Sequence, residues 1–166
     1  MESYRAATYL QRAYLYFSRE GDFGQPPYTP AQLEQMAFDP DRVTELVGLL
    51  PTESWRRGDP TPYRQGPPRN FAAWKFGVPP LETPNSEKVV TRLLDAVEPY
   101  TDRLRHACNA LGLSTGVMVV IKSTSHHADG DDPVPSAAAV AYSSRTIQRL
   151  AALGARLDHD QFFDIG

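Results

Sequence analysis

The chain has 166 residues, with 17 lysines and arginines against 20 aspartates and glutamates, for a net charge of −3. That length suits one domain with a core large enough to need no metal or disulfide staple, and the acidic balance argues against a protein that wraps nucleic acid. A single cysteine, Cys108, leaves no internal disulfide and suits a reducing compartment.

The start "MESYRAATYL" has no leader pattern, and no window reaches the apolar length of a membrane span, so a cytoplasmic protein without membrane contact is expected. "AATYLQRAYLYFS" then reads as a first strand, with Ala13, Leu15 and Phe17 on one face, Tyr14 and Tyr16 on the other, and both faces partly covered. "REGDFGQPPYTP" is a Gly/Pro loop and "AQLEQMA" a short helical insert. In "DPDRVTELVGL", Asp39 caps a helix, Pro40 fits its first position, Val43, Leu46 and Val47 form the apolar stripe, and Gly48 closes it. "TESWRR" and "RNFAAWKFGV" read as strands of a long hairpin joined by "GDPTPYRQGPP".

From Ser86 to Leu111 the apolar residues follow a helical period, with Gly112 as terminator and Pro99 as a kink or break. "TGVMVVIKS" is a nearly continuous apolar run suited to a central strand. A polar loop follows, expected to be mobile over about residues 123–136, and "AAAVAYS" reads as a further strand. "SSRTIQRLAALGA" has a serine cap, a stripe at Ile147, Leu150 and Ala151, and Gly154 at its end. In "RLDHDQFFDI", Leu157, His159, Phe163 and Ile165 alternate with Asp158, Asp160 and Asp164, as in a strand with one wetter face. The sum is a single α+β domain over residues 1–166, with its core at about 8–165 and an insert at about 23–38. Its expected form is a mostly antiparallel sheet of about six strands with about three helices on one face.

"DPDRVTELVGLLPTESWRRGDP", the later "AAWKF", the helix around "LLDAVEP" and the ending "SSRTIQRLAALGARLDHDQFF" together resemble the bacterial domain of unknown function 4279 family. The resemblance spans roughly residues 8 to 165 and departs from the family's compact pattern at the insert from about Phe23 to Phe38. It implies a small α+β fold in a bacterial cytoplasmic protein, and it carries no activity and no catalytic residues.

The candidate binding residues are Trp55, Arg56, Arg57, Asp59, Arg64 and Trp74, with Arg69 and Lys75 beside them on the hairpin. Arginine offers a planar two-pronged donor and tryptophan supplies contact area, so the set suits an acidic peptide, phosphate or carboxylate. The competing reading makes both tryptophans core residues and ties the arginines to the loop through Asp59. Strand alternation puts Trp55 and Arg57 on one face, and a buried Trp55 would cost about 3 kcal/mol on truncation to alanine. Asp158 and Asp160 share a strand face and form a second, acidic candidate.

"SHHADGDD" gathers His126, His127, Asp129, Asp131 and Asp132, but in a spacing that suits neither zinc nor calcium, so no metal site is expected. Cys108 reads as a small buried hydrophobe. No phosphate loop, nucleophile elbow or dinucleotide fingerprint is present, so no catalytic residue and no cofactor is assigned. The expected function is a non-catalytic binding or interaction protein, in one version an immunity-type protein that occupies a toxin. The alternative is a small-molecule binder or enzyme with a pocket near the Trp/Arg hairpin. The partner is then an unknown protein or a small anionic ligand. If the first or last strand lies at a sheet edge, Tyr14 and Tyr16 or Phe162 would support a homodimer.

Overall fold

Strand β1 (Thr8–Arg19) and strand β5 (Leu113–Ser125) pair antiparallel from Thr8↔Thr124 to Arg19↔Leu113. The structure, a computed structural model, describes residues 7–125 and 137–165. On the far side of β1 lies β3 (Ala73–Gly77), and β2 (Glu53–Trp55) pairs with β3. A two-residue strand, β4 (Leu81–Glu82), continues the β3 side of β1 at Leu10 and Gln11. The prolines Pro79 and Pro80 separate β3 from β4, since proline cannot donate to a ladder. The terminal strand β6 (Arg156–Ile165) runs parallel to β5, so the order β2-β3-β1-β5-β6 is antiparallel except at that last pair.

One expectation about strands needs correction. "AAAVAYS" forms no strand: only Ala139 makes an isolated parallel bridge, to Asn85. Because β5 and β6 are parallel, the chain between them must return along the whole sheet before β6 can begin, and residues 137–143 belong to that return. Strand β4 has only two residues, too few to carry a strand period in the sequence.

Five helices accompany the sheet. The insert holds α1 (Pro30–Met36), whose Thr29 and Gln32 form a reciprocal capping box, and no residue of this helix is fully buried. Helix α2 (Pro40–Val47) starts at its Asp39 cap and stops at Gly48, which takes the left-handed conformation with φ 71°. The long helix expected after Ser86 is two helices, α3 (Ser86–Val97) and α4 (Thr101–Leu111), separated by a 3-10 turn that contains Pro99. The last, α5 (Ser144–Leu153), is capped by Ser143.

One core joins the inner face of the sheet to α2, α3, α4 and α5. Ala13, Leu15 and Phe17 of β1 meet Val117, Val119 and Ile121 of β5 in this layer, as alternation requires. Trp74 of β3 is fully buried there, its ring edge-on to Phe17 and its indole N–H donating to Thr44 Oγ1 of α2 at 2.9 Å. At the other end, the fully buried Gln11 donates to the Thr83 carbonyl at 2.8 Å and accepts from Ser86 Oγ at 2.7 Å. That pair of bonds fixes where α3 leaves the sheet.

Helix α5 is rotated from its expected setting. Thr146, Leu150 and Leu153 face inward, whereas Ile147 and Ala151 are exposed. Polar contacts with α3 and the turn after it explain the rotation. Glu87 accepts from the Ser143 N–H at 2.8 Å and from Thr146 Oγ1 at 2.6 Å, and Arg149 reaches Asp95 at 2.6 Å and Glu98 at 2.5 Å.

Trp74→Ala is expected to destabilise the fold by about 3–5 kcal/mol, whereas Trp55→Ala, on the opposite and half-exposed face, costs about 1 kcal/mol; urea melts of the two variants measure the contrast. The Glu87 carboxyl is held at about 2, against 4.5 ordinarily, by hydrogen bonds from Ser143 and Thr146. Its folded value lies below its unfolded one, so its contribution to stability is present above 4.5 and fades as pH falls toward about 2. Melts of Glu87→Gln and the parent should therefore differ most near neutrality and converge in acid.

Candidate functional site

The register that buries Leu15 and Val119 turns every alternate residue to the opposite face of the sheet. One row crosses five strands as Glu53, Lys75, Tyr16, Gly116 and Arg156. The next row runs Gly77, Tyr14, Met118 and Asp158, and the one after it Arg12, Val120 and Asp160. The buried valine, leucine and alanine side chains of α2 to α5 join the core on the other face. Tyr14, Tyr16, Lys75, Met118 and Val120 are half-buried by one another rather than by a covering layer.

Tyr16 lies across Gly116, where a Cβ would overlap its ring. The missing side chain lets the phenol reach over β5 and donate to Asp158 Oδ2 of β6 at 2.5 Å. Arg156 Nε donates to the same phenol oxygen at 2.8 Å and to Asp158 at 3.2 Å. Burial, and then the hydrogen bond to Asp158, push the Tyr16 phenol above its ordinary pKa. Burial also raises Tyr14, with Asp160 adding to the rise and Arg12 opposing it.

At the other margin, cations lie on aromatic rings. The Arg69 guanidinium stacks 3.9 Å from the centre of the Trp55 ring, and Lys75 Nζ lies 5.1 Å from Trp55 and 4.8 Å from Tyr14. The Trp55 indole donates to the Phe71 carbonyl at 3.0 Å, which holds the ring in place. Tyr14 and Lys75 form a ridge between two grooves of about 360 Å³ each: one is walled by Arg12, Glu53 and Pro79, the other by Tyr16, Met118 and Asp158.

The other hairpin groups are structural ties. Arg56 bridges Asp39, at 3.0 Å, and Asp41 at the start of α2. Arg57 lies beyond the end of β2, so strand alternation does not govern it, and it pairs with Glu34 of the insert at 3.0 Å. The Asp59 carboxylate accepts from the Arg56 N–H at 2.7 Å, its carbonyl accepts from the Arg69 N–H at 2.8 Å, and the Gly58 N–H donates to the Arg69 carbonyl at 2.8 Å, closing the loop. Tyr28 of the insert packs edge-on against Phe71.

A family model described as Domain of unknown function (DUF4279) matches residues 27–164. The chain belongs to that family. No curated protein and no solved structure matches the chain. The DUF4279 match begins within the insert, so it takes in α1, while β1 lies ahead of it.

The DUF4279 fold puts Trp55 of the hairpin candidates and Asp158 and Asp160 of the acidic candidate on one face of the sheet, at its opposite edges. It does not bring Trp74 there. That residue is fully buried because it is one step out of phase with Lys75 along β3. Arg64 is exposed in the loop between β2 and β3. Arg12, Tyr14, Tyr16, Gly116, Met118 and Arg156 complete the surface. Their signal in the sequence was the polar and aromatic phase of two strands, but which face lay open depended on where the helices packed. β1 is interior, so Tyr14 and Tyr16 lie at no sheet edge, whereas β6 is an edge strand with Phe162 53% exposed.

Cys108 is half-buried, and burial raises its thiol pKa. The residues from His126 to Asp132 lie outside the described residues. Among the described residues no cluster of histidine, cysteine and carboxylate side chains is placed to hold a metal ion, and no helix is long and apolar enough to cross a membrane.

Gly116→Ala should lift the Tyr16 ring off β5 and break its bond to Asp158. NMR titration of the tyrosine Cζ signals is expected to find the Tyr16 pKa above the ordinary 10.0 in the parent and lower in Asp158→Asn, which removes one of the groups that raise it.

Proposed function

We propose that this chain is a non-catalytic binding protein that presents the open face of its sheet to another protein. The observation that carries this reading is the band formed by Trp55, Lys75, Tyr14 and Tyr16, which spans β2, β3 and β1 and is fixed in place by Gly116, Arg69 and Arg156. Aromatic and arginine side chains held rigidly in a partly desolvated patch have the composition of an interface centre. Because neighbouring side chains already restrict these rings, docking would freeze little further motion. The concrete version is an immunity-type protein of a bacterial cytoplasm, whose sheet covers the working surface of a toxin.

A second reading, a small-molecule binder or enzyme, is favoured by the groove between Arg12, Tyr14 and Lys75, where polar and apolar groups converge. The two readings separate by experiment. The chain is co-expressed with the product of the adjacent gene, and retention is compared for the parent, for Tyr14→Ala/Trp55→Ala, and for Ile147→Ala on the helix side. A partner bound by the parent and by Ile147→Ala, but at least about a hundredfold more weakly by the double variant, is the expected result. A metabolite that raises the melting temperature, with no protein retained through this face, would favour the second reading and overturn the first.

A further inference from the structure

The cationic half of the open face carries more positive charge than its own carboxylates answer. Arg12, Arg69 and Lys75 gather around Tyr14 and Trp55, and the nearest carboxylate in ionic range is Glu53, 3.9 Å from Lys75. Arg12 and Arg69 make no ion pair among the described residues. Several other arginines do meet carboxylates: Arg56 meets Asp39 and Asp41, Arg57 meets Glu34, Arg149 meets Asp95 and Glu98, and Arg156 meets Asp158, while Arg19 meets only the Ala37 and Leu111 carbonyls.

We propose that the groove bounded by Arg12, Tyr14 and Lys75 receives the carboxylate of an aspartate or glutamate side chain borne by the protein partner. This rests on the reading of the open face as a protein-binding surface and adds the chemistry of what binds there. The Tyr14 ring and the flanking Val78, Pro79 and Pro80 suit the apolar stem of such a side chain, and Arg12 and Lys75 suit its head against the single Glu53 on the groove wall. Arg69, beside the groove on the Trp55 ring, has a buried Nε with no acceptor among the described residues, as has Arg57. Lys75 is held in a half-buried site where burial lowers its pKa, and an incoming anion offsets that penalty. A polyphosphate chain fits less well: to run on across the face it would pass Asp158, Asp160 and Asp164, which share the surface. A single acidic side chain stops short of them.

The test uses the full chain and three probes: a short acetylated glutamate peptide, an acetylated lysine peptide of the same length, and inorganic phosphate. NMR shifts of the Trp55 indole and of Lys75 are followed during titration. The expected result is saturable binding of the glutamate peptide alone, weakened by salt and weakened about tenfold or more in Lys75→Met and Arg12→Ala, with the circular dichroism melts of both variants close to the parent. Equal binding of the two peptides, or no binding of either, overturns the assignment. Phosphate binding as tightly as the glutamate peptide overturns the choice of carboxylate. In each of those cases a partner still lost on Tyr14→Ala/Trp55→Ala would leave the protein-binding reading standing, so the two failures are distinguishable.

Discussion

The ladder between β1 and β5 sets both faces of this molecule at once. In that register Ala13, Leu15, Phe17, Val117, Val119 and Ile121 all enter the core, and a slip of one position would bury Arg12, Tyr14 and Tyr16 while exposing Leu15, Phe17 and Val119. The same register puts Gly116 opposite Tyr16, the position where a ring can lie flat across β5 and reach β6. Core packing and the geometry of the outer surface thus follow from one set of backbone pairings. β3 and β6 then extend the two faces outward, and α2 to α5 cover only one of them.

The hairpin from β2 to β3 shows how ion pairs can position without adding much stability. β2 has only three residues and lies at the sheet edge, so its ladder alone holds it weakly. Arg56 fastens its end to the start of α2, Arg57 fastens it to α1, and Asp59 closes the turn with Arg69. Exposed pairs of this kind contribute about 0–1 kcal/mol each. Their effect is to hold Arg69 over Trp55 and so keep the indole on the open face. The insert is part of the same arrangement through Glu34 and Tyr28.

Charge is distributed unevenly across that face. Lys75, Arg12 and Arg69 lie on the side of β1 and β3, while Asp158, Asp160 and Asp164 lie on β6. Tyr16 joins the two halves through its hydroxyl, which donates to Asp158 and accepts from Arg156. For the proposed binding role, a polar gradient of this kind would favour one docking orientation over its reverse, a matter of specificity and encounter more than of affinity.

The sequence by itself determined the parts that depend on local chemistry. Asp39, Pro40 and Gly48 delimit α2, Pro99 divides α3 from α4, Ser143 and Gly154 bound α5, and alternation in β1 separates Leu15 from Tyr14, because caps, proline and strand period act within a few residues. Asp158 and Asp160 were likewise legible as one strand face. Tertiary structure decided the rest. Trp55 and Trp74 have similar local surroundings, yet their opposite fates depend on the register of β3 against β1 and β2. The direction of β6, the inward side of α5, and the placing of Trp55 and Asp158 on one sheet face all depend on contacts between residues far apart in the chain, whose pairing no local pattern encodes.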